Sequence, residues 1–347
     1  MFSLSRRAVV ALFTVAVAAT STACGASTPS ANLPVSGEWS EVVAAAENEG
    51  RVHLYSTQHP DNLAKLKAAF EQRYPRITLE FTRGTDVEIN PRVEAEHRTG
   101  RGTADVHMTS DPVWTATAAE SGPYSVDPVG PSLRDPAYDR EGSVRGGTFF
   151  LTSAAVFGLG WNTAALPGGL ATPADLLDPA LQGRIGVTNP SGFAAVVDQY
   201  RFFDRNWDPG FTEKLAAQRP RIYPSALGVA QALNSGEIVA TPMVQPLVRE
   251  QAAGAPVDWL LPDPAWGTPW YSHVLSAAPH PNAAQVLADF LVTREGQTAL
   301  SEGYAAALPD INGAVARAQE VPFPDIATLT PDAVSRYQET WQGMFQR

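Results

Sequence analysis

The stretch Val52-His53-Leu54-Tyr55, running into Ser56-Thr57-Gln58-His59 and then Pro60-Asp61, sets the grammar of the whole chain. A mostly apolar run of strand length meets a polar loop, and proline then takes a first helical position. Its fixed φ fits there, and its missing N–H would have been unpaired anyway. The same order returns at Ala104 to Met108 with Thr109-Ser110-Asp111-Pro112. It returns again at Arg184 to Val187 with Thr188-Asn189-Pro190-Ser191-Gly192. Strands and helices in this rhythm predict a mostly parallel sheet with helices on both faces. In such sheets ligands bind beyond the carboxyl ends of strands. A loop entering a helix also offers free N–H groups and positive dipole character. Ser56, Thr57, Gln58 and His59 are therefore candidates to face a ligand; an ordinary capped strand-to-helix connection accounts for them as well.

The N-terminus reads as an export signal. Ser5-Arg6-Arg7 precedes an apolar run from Ala8 to Ala19, and Ser21-Thr22-Ala23-Cys24 follows. The basic start, the apolar run too short to cross a bilayer comfortably and the small residues after it fit a signal peptide over 1–23. The paired arginines resemble a twin-arginine signal, and a general secretory signal also tolerates them, so the export route stays open. Cys24 is the only cysteine, which excludes an internal disulfide. Its surroundings resemble a bacterial lipobox with Ser21 in place of the usual leucine, which implies lipidation of Cys24. A non-lipidated signal with a chance cysteine is the alternative. Residues 24–37, rich in Ser, Pro, Ala and Gly, read as a flexible tether.

Net charge is −11, and removing residues 1–23 with Arg6 and Arg7 takes it to −13. So acidic a domain has no electrostatic footprint for nucleic acid. The remaining length suits two lobes. Two extended runs, Thr148 to Trp161 and Trp270 to Ala278, are candidates to cross between them. They divide the chain into a first lobe of residues 38–152 plus 272–347 and a second of residues 153–271. Helices are expected over Trp39–Asn48, Pro60–Tyr74, Asp86–Arg98, from Pro112 to Gly122, Phe193–Phe203, Ser225–Asn234, from Gln245, Asn282–Thr293, Glu295–Gly303 and Pro331–Phe345. The last three are expected on the first lobe.

Taken in order, several short motifs resemble the extracellular solute-binding proteins of bacterial ABC importers, in the iron-binding-like, two-lobed branch. They are Val52 to Tyr55 with Gln58-His59, Ala104-Asp105-Val106, Trp161-Asn162-Thr163, Asp175 to Pro179 with Gly183 to Gly186, Ser191-Gly192, Asn234 to Ile238, and Asp289-Phe290-Leu291 with Glu295-Gly296-Gln297. The resemblance implies an α/β fold of the type II periplasmic binding protein kind: two α/β lobes joined by two crossing strands, with the ligand cleft between them. It implies a monomer that captures a small-molecule solute and hands it to membrane permease and ATPase subunits, without a cofactor.

The ferric-iron members of this branch hold metal with a histidine in the opening loop, a carboxylate after the Ala-Asp-Val strand and a tyrosine pair after the Gly-Glu-Ile stretch. Hard Fe(III) prefers such anionic oxygen donors. Here the histidine is kept as His59, the carboxylate position falls on Ser110 beside Asp111, and the tyrosine pair falls on Pro246-Leu247. The fold without that iron site is the expectation, with ferric-iron transport the alternative. Ser191, Gly192 and Phe193 match an anion-holding helix start in the branch, and an N-cap by Ser191 is the other reading. Tyr223, Ser225 and Gln245 match other pocket positions, and Ser153 lies in the hinge stretch. Trp270 and Tyr271 supply either a stacking wall or hinge packing. A small anionic or zwitterionic solute, such as an organophosphorus or carboxylate compound, follows from this set. An enzyme on the same fold is the rival: Ser56, His59 and Asp111 include triad residue types, but no nucleophile elbow, His-Glu-x-x-His spacing or Walker loop accompanies them.

Overall fold

The structure is a computed structural model that describes Val35 and residues 37–346. The signal segment, Cys24 and most of the tether lie outside those residues.

Helix α1 (Trp39–Glu49) ends at Gly50, which takes φ +71° and closes the last turn. Strand β1 (Arg51–Ser56) follows, then α2 (Pro60–Arg73), β2 (Thr78–Arg83), α3 (Asp86–Thr99), β3 (Val106–Thr109) and α4 (Pro112–Ser121). β1 pairs in parallel with both β2 and β3. This part is the alternation the opening grammar predicts, but the large sheet as a whole is mixed and not mostly parallel, because the crossing strands and their partners join it antiparallel. Leu63, Leu66 and Phe70 lie fully buried on one face of α2, and burying such side chains contributes roughly 1.5–3 kcal/mol each. Two short strands, β4 (Ser125–Val126) and β5 (Val144–Arg145), flank the small helix α5 (Arg140–Ser143).

Strand β6 (Phe149–Asn162) is 14 residues long and buried almost throughout. Its first half lies in the first lobe. Its second half pairs antiparallel with β9 (Ala240–Val244) and β10 (Val257–Leu260) of the second lobe. Between β6 and β9 the chain forms β7 (Gly186–Thr188), α6 (Ala194–Asn206), α7 (Phe211–Ala217), β8 (Arg221–Tyr223) and α8 (Ala226–Asn234). β7 and β8 pair in parallel. The short helix α9 (Val248–Ala252) precedes β10. The second crossing, β11 (Trp266–Leu275), is antiparallel to both β6 and β3. It begins four residues earlier than the sequence suggests, because Trp266-Gly267-Thr268-Pro269 is extended against Ala154 to Phe157. The large sheet runs β2-β1-β3-β11-β6 and ends in the short strands β12 (Ala305–Ala306) and β13 (Ala316–Arg317). Helices α10 (Pro281–Leu291) and α11 (Arg294–Leu300) pack back on the first lobe, as expected.

The C-terminal helix α12 (Pro331–Phe345) forms where the sequence places it, but it sits on the second lobe. It packs on α6 and α7, and Trp341 is fully buried with Tyr200, 5.8 Å between ring centroids. The apolar stripe of α12 carries Trp341 and Phe345 stacked at 4.5 Å, and both meet Tyr200 of the second lobe's aromatic core. Residues 321–330 thus form a third passage between the lobes. Among the described residues no helix is long and apolar enough to cross a membrane.

Inside the first lobe, His107 on β3 and His273 on β11 face each other across the sheet, with Nδ1 of His107 3.0 Å from Nε2 of His273. Both are fully buried. Burial pushes His107 down to about 3, and burial together with His107 holds His273 well below its ordinary value. Both rings are neutral in the fold, whereas the unfolded chain takes up protons near pH ~6.5. Stability from this pair is full above that value and falls as pH drops towards the folded values, by up to about 1.4 kcal/mol per pH unit for each ring. His107→Gln is expected to flatten unfolding free energy against pH between roughly pH 6 and pH 4. Equal slopes in denaturant melts would remove the pair as the source.

Candidate functional site

The cleft between the lobes holds a cavity of about 240 Å3. Both crossing strands floor it, through Ala155 and Phe157 of β6 and Trp266, Thr268 and Trp270 of β11. Around that floor the polar loops converge. Helix α2 starts at His59, α3 at Thr85-Asp86 and α8 at Ser225, and all these residues line the cavity. Three helix N-termini bring partial positive charge to one space.

The first-lobe wall has a fixed hydrogen-bond direction. Trp270 Nε1–H donates to Thr57 Oγ1 at 2.7 Å. Thr57 Oγ1 lies 3.2 Å from Ser110 Oγ, and Ser110 Oγ–H donates to Asp86 Oδ2 at 2.6 Å. An indole N–H only donates and a carboxylate only accepts, so the proton between Thr57 and Ser110 belongs to Thr57. Asp86 Oδ1 also accepts from Thr109 Oγ1 at 2.6 Å and from the Ser110 N–H at 3.0 Å. Thr268 gives its hydroxyl proton to the Ser110 carbonyl, and Thr85 gives its own to Glu88. The hydroxyl protons of Thr57, Ser110, Thr268 and Thr85 are thus all taken by protein acceptors, so towards a ligand these groups can only accept. Beneath them lies Asp86, which forms no ion pair among the described residues; burial raises its carboxyl above the usual range, against the hydrogen bonds from Ser110 and Thr109.

Two arginines line the cavity, Arg83 from the first lobe and Arg249 from the second, and Glu250 lines it beside Arg249 with Oε2 buried and unpartnered. Arg249 of α9 reaches from the second lobe to the first, where Nη1 donates to Asn62 Oδ1 at 3.1 Å and to the Glu302 carbonyl at 2.7 Å. Its guanidinium lies 5.3 Å over the Tyr304 ring. Its Nε is buried without a partner. The two chains approach closely here: Gly303 has φ +75°, and a Cβ on it would come within 3.0 Å of Val248. His59 Nδ1 accepts from the Asp61 N–H, leaving the ring proton on Nε2. Burial, Arg249 and Arg83 hold this histidine below its ordinary value, against Asp61.

Of the residues the sequence singles out, Thr57, His59, Ser110, Phe193, Ser225, Gln245 and Trp270 line the cavity. The others do not. Ser56, Gln58 and Ser153 are fully buried, and Gln58 Nε2 donates to Ser153 Oγ at 2.6 Å, tying the opening loop to β6 behind the cavity. Asp111 caps α4, accepting from the Val113 and Trp114 N–H groups. Ser191 is exposed within a short 3-10 turn, Pro190–Gly192, that Asn189 caps; α6 begins only at Ala194, so Ser191 is not its N-cap. Tyr223 donates to Glu237, and Tyr271 lines a separate cavity of about 350 Å3, accepting from Arg145 Nε at 3.3 Å. Ser56, His59 and Asp111 are each engaged elsewhere and form no relay. The segment Gln245-Pro246-Leu247 is cavity loop; α9 starts at Val248, later than the proline suggests. Sequence reading missed Asp86, Arg249, Thr268 and Tyr304. Asp86 follows the Thr85 cap and Arg249 follows Pro246, so both stood at helix starts.

A family model for bacterial extracellular solute-binding proteins matches residues 59–304. The chain belongs to this family. No curated protein sequence matches it. Among solved structures, this extracellular solute-binding protein is similar to a substrate-binding protein of an ABC transporter from Agrobacterium tumefaciens, with TM-score 0.73 and 18% identity over 87% of this chain and 97% of the other. It is also similar to the periplasmic binding protein AfuA from Actinobacillus pleuropneumoniae, solved with fructose-6-phosphate, with TM-score 0.66 and 20% identity over 86% and 99%. Iron-bound HitA from Pseudomonas aeruginosa matches with TM-score 0.65 and 18% identity over 85% and 99%. These likenesses establish the fold.

Arg249→Ala removes the contacts that fasten the second lobe to Asn62, Glu302 and Tyr304. Charge-assisted bonds of this kind contribute about 1.5–3 kcal/mol each, so the ligand-free variant is expected to be more open. Its radius of gyration by small-angle X-ray scattering should exceed that of the parent; identical curves would show that the clasp does not hold the lobes.

Proposed function

We propose that this solute-binding protein captures a small polar solute carrying an anionic group and delivers it to the permease of an ABC importer, tethered to the membrane through a lipid on Cys24. The observation that carries the reading is the cavity itself, lined by residues of both lobes and crossed by Arg249. Contacts on both sides exist together only when the lobes are closed, so binding shifts the population towards closure. Thr57, His59, Ser110, Phe193, Ser225, Gln245 and Trp270 are the proposed contacts, with Arg249 and Asp86 added. The helix starts at His59 and Ser225, His59 Nε2–H and the unpartnered Arg249 Nε supply donors for the anion. Phe157, Phe193, Trp266 and Trp270 shelter an apolar body.

The donor set supports an organic solute over ferric iron. Ser110 stands where a carboxylate would be needed, Pro246 and Leu247 line the cavity where phenolates would be needed, and Tyr304, the cavity's one tyrosine among the described residues, lies beneath the Arg249 guanidinium. A cation beside a phenol and a metal compete for the same electrons.

Native mass spectrometry of protein purified without refolding is expected to show a bound small molecule, and scattering is expected to show compaction when that solute is added back. Absence of compaction with every polar solute tried would count against transport, and a tyrosinate-to-iron charge-transfer band on adding chelated iron would restore the metal. Cys24→Ala should release the protein from the membrane fraction; unchanged fractionation would exclude the anchor.

A further inference from the structure

Resting on that reading of the cleft, we propose that the solute also bears a cationic hydrogen-bond donor, a protonated amine or guanidine, which seats on Thr57, Ser110 and Thr268 above Asp86. The transported compound is then a zwitterion, with its anionic end towards His59 and Arg249.

The argument turns on where the protons are. A hydroxyl ordinarily gives a ligand either a donor or an acceptor, because its hydrogen rotates to suit. Here the choice is already made. Trp270 Nε1–H at one end and the Asp86 carboxylate at the other fix the Thr57 and Ser110 hydroxyls in one direction. Thr268 is fixed by the Ser110 carbonyl, 3.0 Å away. Reversing any of them would break a bond inside a wall where Ser110 and Thr268 are buried and Asp86 is 8% exposed. An anion placed here would meet lone pairs backed by a carboxylate, whereas an ammonium would meet three acceptors and a counter-charge. Asp86 and the α4 cap Asp111 are two carboxylates on this side, and neither has a cation among its hydrogen-bond partners. A buried carboxylate without a paired cation is costly, and a solute cation relieves that cost only in the bound state. The second lobe differs. Ser225 Oγ accepts from the Gly228 N–H, so its own proton remains free to donate. The hydroxyls around Asp86 can therefore only accept, while Ser225 can donate, and the other charged lining residues are Arg83, Arg249 and Glu250.

Matched pairs differing only in the amine test this by isothermal titration: phenylalanine against 3-phenylpropionate, and 5-aminovalerate against valerate. For the pair that binds, the amine-bearing member is expected to bind at least about tenfold tighter. Asp86→Asn should abolish that preference, so that the two members of the pair bind alike. Ser110→Ala frees the Thr57 proton to swing into the cavity and should reduce the preference as well, which covers the case in which Asp86→Asn does not fold. Equal or reversed affinities within a pair would overturn the proposal, and compaction by amine-free anions alone would do so while leaving solute transport standing. No binding by either pair, together with no compaction by any polar solute, would bring down both.

Discussion

The antiparallel pairing of β6 with β11 is the constraint on which the rest of the molecule depends. Both strands are buried along nearly their whole length, and each carries residues of the first lobe's sheet at one end and of the cleft floor at the other. A strand exposes alternate side chains to opposite faces. Along β11 this places Trp270 on the cleft and its neighbour Tyr271 on the cavity behind it, and the register shift beside them falls on β6, where Thr152 is the extra residue.

The cleft combines features that would oppose each other in a simple anion site. Helix starts and Arg249 favour negative charge, while the wall over Asp86 rejects it. Asp86 is itself the first residue of α3, where the helix dipole favours a carboxylate. The same physical effect therefore stabilises a residue that repels anions and attracts anions a few residues away. Small rotations of the lobes change which of these a solute meets together, and selectivity follows from simultaneous fit rather than from total charge.

Much of the fold was legible because its signals are local. Proline after a polar loop, glycine after an apolar stripe and strand-length apolar runs mark α1, α2, α4 and α8 to within a residue or two. The α12 boundaries were equally clear, yet its lobe was not, because the amphipathic stripe of Trp341 and Phe345 specifies that something is buried and not what covers it. In the site, Thr57 and His59 could be read from loop position and Trp270 from the second crossing run. Ser56, Gln58 and Ser153 could not be told apart from them, since a polar residue facing a ligand and one satisfying a buried neighbour have the same sequence. Arg249 was invisible for a different reason: its partners Asn62 and Glu302 are far away along the chain, and only the closed arrangement of the lobes brings them together.

The placement of α12 also bears on how the molecule is made. The second lobe's aromatic core, with Tyr200, Phe203 and Phe211, stays open on one side until Trp341 reaches it. During vectorial synthesis the first 300 or so residues can therefore collapse only in part, because the piece that seals one lobe emerges after the other is already encoded. Helix α12 acts as a keystone, closing a core that the rest of its lobe leaves open.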